Sequence, residues 1–108
     1  MIVELRVYHC LPGRQPALHA RFANTTLPLW EKHGIRQVGF FTNLVGPSNQ
    51  TLTYLLEWDS LADRETRWNA FSTDPDWIAA RAASEVDGPI VERIDNSLLI
   101  PTAYSALR

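Results

Sequence analysis

Strand-like and helix-like hydrophobic periodicities follow one another in a fixed order along the chain, and this order constrains the fold more than any other feature. Alternation with a period of two predicts strands over residues 2–10 and 51–58, and apolar and β-branched runs predict strands over 35–45 and 90–100. Apolar residues at spacings of three and four predict a helix that ends at about His33, and a second helical region follows the third strand. The resulting order, strand, helix, strand, strand, helix, strand, is typical of the ferredoxin-like α+β folds.

Capping and breaking residues mark the helix boundaries. Gly34 is a suitable C-cap for the first helix, and Pro28 predicts a kink or a break in its last turn. Ser60 predicts the start of the second helical region. Asp74-Pro75 interrupts and restarts that region, because aspartate favours the N-cap and proline the first helical position. Gly88-Pro89 ends it before the last strand.

Right-handed crossover connections predict how these elements are arranged. They put the first strand between the third and the fourth in one antiparallel four-stranded sheet, with two helical segments on one face. The 108 residues allow a single domain over 1–108, with a short tail after about residue 101 and no segment left to cover the other face. A second copy of the chain is the simplest cover, so we expect a homodimer.

Composition excludes several classes of protein. A net charge of −2 leaves no basic surplus for nucleic acid. The one cysteine, Cys10, excludes an internal disulfide and an all-cysteine metal site. No apolar run approaches the ~20 residues of a membrane span, and Glu4 and Arg6 stand where a signal peptide needs apolar residues. We therefore expect a cytoplasmic protein with no nucleic-acid or membrane partner.

Six stretches of the sequence carry a resemblance through their order and spacing. They are residues 3–8 (VELRVY), 11–14 (LPGR), 27–34 (LPLWEKHG), 38–47 (VGFFTNLVGP), 58–65 (WDSLADRE) and 74–77 (DPDW). Together they resemble the NIPSNAP family of dimeric α/β-barrel proteins. The resemblance implies a ferredoxin-like protomer and a barrel formed by two sheets. It implies little about chemistry, because related dimeric barrels include cofactor-independent monooxygenases, small isomerases, haem-degrading enzymes and ligand-binding proteins.

Polar and apolar side chains alternate along the first strand, so the two sets lie on opposite faces. We expect the apolar set, Val3, Leu5 and Val7, to face the helices, and the polar set to face the barrel interior. The barrel polar network predicted in this way comprises Glu4, Arg6, Tyr8, Glu57 and Arg93. It is either a structural ion-pair network that fixes the register of the dimer or a site for acid–base work or a polar ligand.

His9 is the candidate catalytic residue. We expect it at the end of the first strand, facing the helix layer near Trp77, where a neutral imidazole can act as a general base. The alternative is a histidine at the rim bonded to a backbone carbonyl. His9 and Cys10 point in opposite directions, and no two histidines have i, i+4 spacing, so we expect no metal. Haem-degrading relatives use a histidine of the second helix, and residues 60–87 contain none; we expect no cofactor.

Four tryptophans are many for a chain of this length. Trp30, Trp58 and Trp68 are expected to meet at one pole, opposite the pole of His9, where they serve as packing or, in the alternative, form a wall of a flat apolar ligand pocket between helices and sheet. The residues predicted to bind a ligand are Val7, Leu18, Phe22, Phe71 and Trp77. We predict a dimeric protein that binds a small apolar ligand or partner. The alternative is a cofactor-free monooxygenase or isomerase acting on a small aromatic or polyketide-like substrate.

Overall fold

The sheet and its helices follow the order predicted from the sequence. The computed structural model describes residues 1–107. Its elements are β1 (Ile2–Cys10), α1 (Gln15–Arg21), a π-helical segment (Phe22–Thr26), α2 (Leu27–His33), β2 (Arg36–Thr42), β3 (Thr51–Trp58), α3 (Leu61–Ser72), α4 (Pro75–Ser84) and β4 (Val91–Leu99). The four strands form one antiparallel sheet of order β2-β3-β1-β4. The ferredoxin-like α+β class and the position of β1 between β3 and β4 are confirmed. No helix of residues 1–107 is long and apolar enough to cross a membrane.

The predicted break at Pro28 takes the form of the π-helical segment that precedes it. The N–H of Leu27 donates to the carbonyl oxygen of Phe22, and the Thr26 hydroxyl donates to the carbonyl oxygen of Arg21 at 3.3 Å. Pro28 lies in the first turn of α2, which continues directly from the π-helical segment, so its missing N–H leaves one hydrogen bond of the continuous helix unmade next to the wide turn. Helix α2 ends at Gly34, which adopts the left-handed conformation expected of a C-cap.

Both caps predicted in the second helical region are present. The Ser60 hydroxyl accepts the N–H of Asp63 at 3.0 Å at the start of α3. The Asp74 carboxylate accepts the N–H of Asp76 at 2.9 Å, and Pro75 is the first residue of α4. The two helices are therefore separated by a capped break rather than a bend.

Asp74 also ties α4 to the end of α2. Its Oδ2 atom lies 2.9 Å from Nζ of Lys32 and 2.7 Å from Nε2 of His33. These two hydrogen bonds, with the backbone N–H of Asp76, hold the pKa of Asp74 well below its usual range. The side chain of His33, in the last turn of α2, therefore has this carboxylate as its partner.

The two faces of β1 are the reverse of the prediction. Glu4, Arg6 and Tyr8 face the helices, because they share a face with the buried residues opposite them in β3, Leu56, Tyr54 and Leu52. The open face of the sheet carries Val3, Leu5 and Val7. Period-two alternation separates two sets of side chains but does not say which set the helices cover. Here the polar set is buried because its members satisfy one another's hydrogen bonds and charges.

The expected tryptophan cluster is present between the sheet and the helices. The ring centroids of Trp30 and Trp68 lie 6.2 Å apart, and those of Trp58 and Trp68 lie 6.4 Å apart. Trp30 and Trp58 are buried. Packing is the role of Trp58 here, whereas Trp30 and Trp68 also line a cavity, as in the alternative interpretation of this pole.

Candidate functional site

A cavity of about 250 Å³ lies between the helix layer and the sheet. Side chains from β1, the α1–α2 region, α3, α4 and β4 enclose it. Six of its fourteen lining residues are aromatic: Tyr8, Phe22, Trp30, Trp68, Phe71 and Trp77. The volume is just below the range of ~300–1,000 Å³ typical of sites for drug-sized ligands, so it suits a molecule of one or two rings.

Three of the predicted ligand-binding residues, Phe22, Phe71 and Trp77, line this cavity. Leu18 is fully buried in the core. Val7 lies on the open face of the sheet, opposite Asp95 of β4, and its predicted position between helices and sheet was wrong. The reason is the reversed orientation of β1, which turns each odd-numbered side chain of the strand away from the helices.

Glu4 is the centre of a buried hydrogen-bond network beneath the helices. Its carboxylate accepts hydrogen bonds from Arg6 (3.1 Å), Arg64 (2.9 and 3.1 Å), Asn96 (2.6 Å) and Trp58 Nε1 (2.9 Å). Burial alone would raise the pKa of Glu4, but the hydrogen bonds from Arg64 and Asn96 and the two guanidinium charges lower it to about 2. Glu4 therefore stays a carboxylate and is a poor general base.

Arg6 connects this network to the cavity. Its Nε donates to the hydroxyl of Tyr54 at 2.7 Å, its Nη2 donates to that of Tyr8 at 3.4 Å, and its guanidinium lies 4.7 Å from the ring centroid of Trp68. Tyr54 in turn donates to the Tyr8 oxygen at 3.0 Å. Tyr8 thus accepts from two partners, and its own hydroxyl proton remains available to a group in the cavity.

The predicted barrel polar network is not one cluster. Glu57 and Arg93 lie on the open face, where Glu57 pairs with Arg36 at 3.6 Å and Arg93 lies 3.9 Å from Asp95. Glu4, Arg6 and Tyr8 lie on the helix face, so the sheet separates the two groups. The prediction that these five residues form one network was therefore wrong, because the two faces of β1 are the reverse of those expected.

His9 also lies on the open face. Its Nε2 atom is 2.8 Å from Oδ2 of Asp95, and its neighbour in β4 is Arg93. The side chain points away from the helix layer that carries Trp77, so the predicted position near that residue was wrong. An odd-numbered residue of β1 cannot share a face with the cavity-lining Arg6 and Tyr8.

Arg21 and Trp30 contribute buried donors that the sequence did not reveal. The Arg21 Nη1 donates to Ser84 Oγ and to Glu85 Oε1, both at 3.3 Å, and the guanidinium lies 5.6 Å from the ring centroid of Trp77. The Nε of Arg21 and the Nε1 of Trp30 are buried without a hydrogen-bond partner among residues 1–107. Both residues line the cavity. Such orphaned donors are rare and call for an explanation.

The geometry of residues 1–107 provides no candidate metal site. Among residues 1–107, no three His, Cys, Asp or Glu side chains come together in a way that could hold a metal ion. Cys10 is buried, and burial raises the pKa of its thiol. The polar groups that line the cavity are the guanidinium groups of three arginines, the indole and phenol groups, the hydroxyls of Thr26 and Ser72 and the carboxylate of Glu85.

The architecture defines a class of protein: a ferredoxin-like α+β domain with an aromatic cavity above a buried arginine–tyrosine–glutamate network. The NIPSNAP family model matches residues 3–106, and the chain belongs to the NIPSNAP family. The sequence matches no curated protein sequence.

Solved structures of similar proteins agree with this assignment. A NIPSNAP family protein from Agrobacterium tumefaciens is 28% identical, with a TM-score of 0.83 over 99% of this chain and 98% of that one. Another from the same organism, of unknown function, is 26% identical, with a TM-score of 0.86 over 100% and 94%. A proposed antibiotic biosynthesis monooxygenase from Chloroflexus aurantiacus is 14% identical, with a TM-score of 0.57 over 100% of both chains. That last likeness extends to the fold alone.

Proposed function

We propose that the protein binds a small, flat, apolar molecule in the cavity between its helices and its sheet. The observation that carries the proposal is the ring of six aromatic side chains around a space of about 250 Å³. Aromatic walls bind flat molecules through apolar contact and ring stacking, and a few polar groups then fix the orientation. In this cavity Tyr8 and Arg6 can fix the orientation from the sheet side.

Binding without catalysis is the function that the charged groups support best. Glu4 is held ionised by its arginine partners and has a pKa of about 2, so it accepts a proton poorly near neutral pH. His9, the candidate base, is on the other side of the sheet from the cavity. Of the remaining polar groups at the cavity, the carboxylate of Glu85 is paired with Arg21 and Arg81, and the guanidinium, indole and phenol groups donate hydrogen bonds that can hold a ligand without reacting with it.

Ligand titration with a filled-cavity variant tests the proposal. Trp30, Trp68 and Trp77 line the cavity, so 2-naphthamide should quench tryptophan fluorescence in a saturable way. Ser72→Leu fills part of the space and should abolish the saturable signal. Thr66→Leu adds similar bulk on the exposed side of the same helix and should leave it unchanged. Equal titration curves for both variants would show that the probe binds elsewhere.

A cofactor-free isomerase is the second candidate, and the Tyr8 hydroxyl above Arg6 favours it. These two donors could stabilise an enolate oxygen as charge develops on it. The test is exchange of the C1 protons of 2-tetralone with deuterium, followed by NMR. Exchange at the buffer rate, unchanged in Tyr8→Phe, would exclude this candidate.

We also propose that two copies of the chain pair through the open faces of their sheets. That face carries the half-buried Leu5, Val7 and Leu55 together with the exposed Phe41 and Leu99. The helices pack against the other face, so a second layer here needs another molecule. Such a dimer would bury His9, Asp95 and Glu57 between the two sheets.

A further inference from the structure

We infer that the ligand of the cavity is an anion, an aromatic carboxylate of one or two rings, with its carboxylate bound to Arg21. The inference rests on the proposed function and deepens it by naming the chemical class of the ligand. Two independent observations carry it: buried donors that lack acceptors, and a surplus of positive charge at the cavity wall.

The first observation concerns the two orphaned N–H groups. Arg21 is 8% exposed and Trp30 is 2% exposed, so water does not solvate their side chains as it would at the surface. Nε of Arg21 and Nε1 of Trp30 have no acceptor among residues 1–107. Neither nitrogen can accept a hydrogen bond. A ligand that satisfies them must bring acceptor oxygens.

The second observation concerns charge. Arg6 and Arg64 share the single carboxylate of Glu4, with hydrogen bonds of 2.9 to 3.1 Å. Arg21 and Arg81 share the single carboxylate of Glu85, at 3.3 and 3.9 Å. Of these residues Arg6, Arg21, Arg81 and Glu85 line the cavity, so three guanidinium groups and one carboxylate stand at its wall.

The position of Arg21 explains why the ligand is an aromatic acid rather than an inorganic anion. Its guanidinium lies 5.6 Å from the ring centroid of Trp77, whose ring in turn packs 4.8 Å from that of Phe71. A carboxylate at Nε therefore brings the rest of its molecule against aromatic rings. Guanidinium binds carboxylates with good geometry because its donors lie in one plane. Trp30 Nε1 supplies a further donor to an oxygen of the same ligand.

The experiment compares two probes of equal shape, 2-naphthoate and 2-naphthamide, by isothermal titration calorimetry at pH 7. The carboxylate should bind about tenfold more tightly, as expected when a hydrogen bond is made to a charged group. Arg21→Met should remove most of this preference. Arg36→Met makes the same change in net charge on β2, outside the cavity, and should preserve it. Arg21→Lys keeps the charge but removes Nε, and should give an intermediate preference.

The outcomes separate the inference from the proposed function. Equal binding of the two probes would overturn the inference while leaving an apolar ligand site in place. Binding of neither probe would overturn both. An unchanged preference in Arg21→Lys would show that general charge, and not the Nε group, selects the anion, which contradicts the assignment. If Arg21→Met fails to fold by circular dichroism, Trp30→Phe takes its place, since it removes a donor and keeps a ring.

Discussion

Arg64 of α3 makes two hydrogen bonds, of 2.9 and 3.1 Å, to the carboxylate of Glu4 in β1. This pair fastens the second helical region to the central part of the sheet. The same carboxylate holds Arg6, whose other donors reach the tyrosines next to the cavity. One buried acid thus joins helix packing to the orientation of the candidate ligand-binding groups.

The first prediction is that Glu4→Gln strongly destabilises the fold. The substitution leaves Arg6 and Arg64 without their carboxylate, and loss of one partner of a buried ion pair costs about 3–5 kcal/mol. Urea unfolding followed by circular dichroism measures the change. Glu65→Gln makes the same chemical change at an exposed position of α3 and should alter stability by less than about 0.5 kcal/mol. Similar unfolding midpoints for the two variants would contradict the structural role of Glu4.

The second prediction concerns acid. The pKa of Glu4 is lowered from 4.5 to about 2 in the folded protein, so its contribution to stability is complete above pH 4.5 and is lost as the pH falls towards 2. The depression corresponds to about 3 kcal/mol. Asp74, whose pKa is also lowered, adds acid sensitivity in the same direction. Unfolding free energies at pH 7 and pH 3 should therefore differ less in Glu4→Gln than in the unmodified protein. Parallel pH profiles would refute the role assigned to Glu4.

The third prediction tests the proposed dimer. The unmodified protein should sediment as a dimer at low micromolar concentration, through an interface of about 2,000 Å² or more. Leu5→Glu puts a charge on the open face of the sheet and should give a folded monomer. Ile78→Glu replaces an exposed apolar residue of α4 and should remain dimeric. If the unmodified protein sediments as a monomer, the proposed dimer is wrong.

The fourth prediction separates the two faces of the sheet. His9→Ala should leave binding of 2-naphthamide unchanged within about twofold, because a surface substitution away from a site has little effect. Tyr8→Phe removes the hydroxyl that lines the cavity and should weaken the binding of 2-naphthol, whose oxygen can accept its proton, several-fold. The measurement is fluorescence titration of both variants. Loss of binding in His9→Ala alone would move the site to the open face.

The sequence predicted the order of elements, the helix caps and the tryptophan cluster because these depend on local patterns. It could not predict which face of β1 the helices cover, since Glu4 and Val3 alternate equally well in either orientation. The partner that makes a buried Glu4 possible, Arg64, lies 60 residues away along the chain. An unpaired donor such as Nε of Arg21 is also beyond the reach of a sequence pattern, because it depends on which acceptors the finished fold leaves out.

The π-helical segment sets the rotational phase between two aromatic side chains of the cavity. Phe22 and Trp30 are eight residues apart, yet their ring centroids lie 5.7 Å from each other. Eight residues of a regular α-helix turn through about 800°, which would leave these side chains about 80° apart around the axis. The π-helical turn accommodates one extra residue, so the angle between the two side chains around the helix axis falls to about 20°. Deleting Asn24 would therefore give a plain α-helix that keeps Trp30 within about 20° of Phe22, whereas forcing all eight residues into a regular α-helix would swing Trp30 about 100° relative to α1 and open the wall of the cavity.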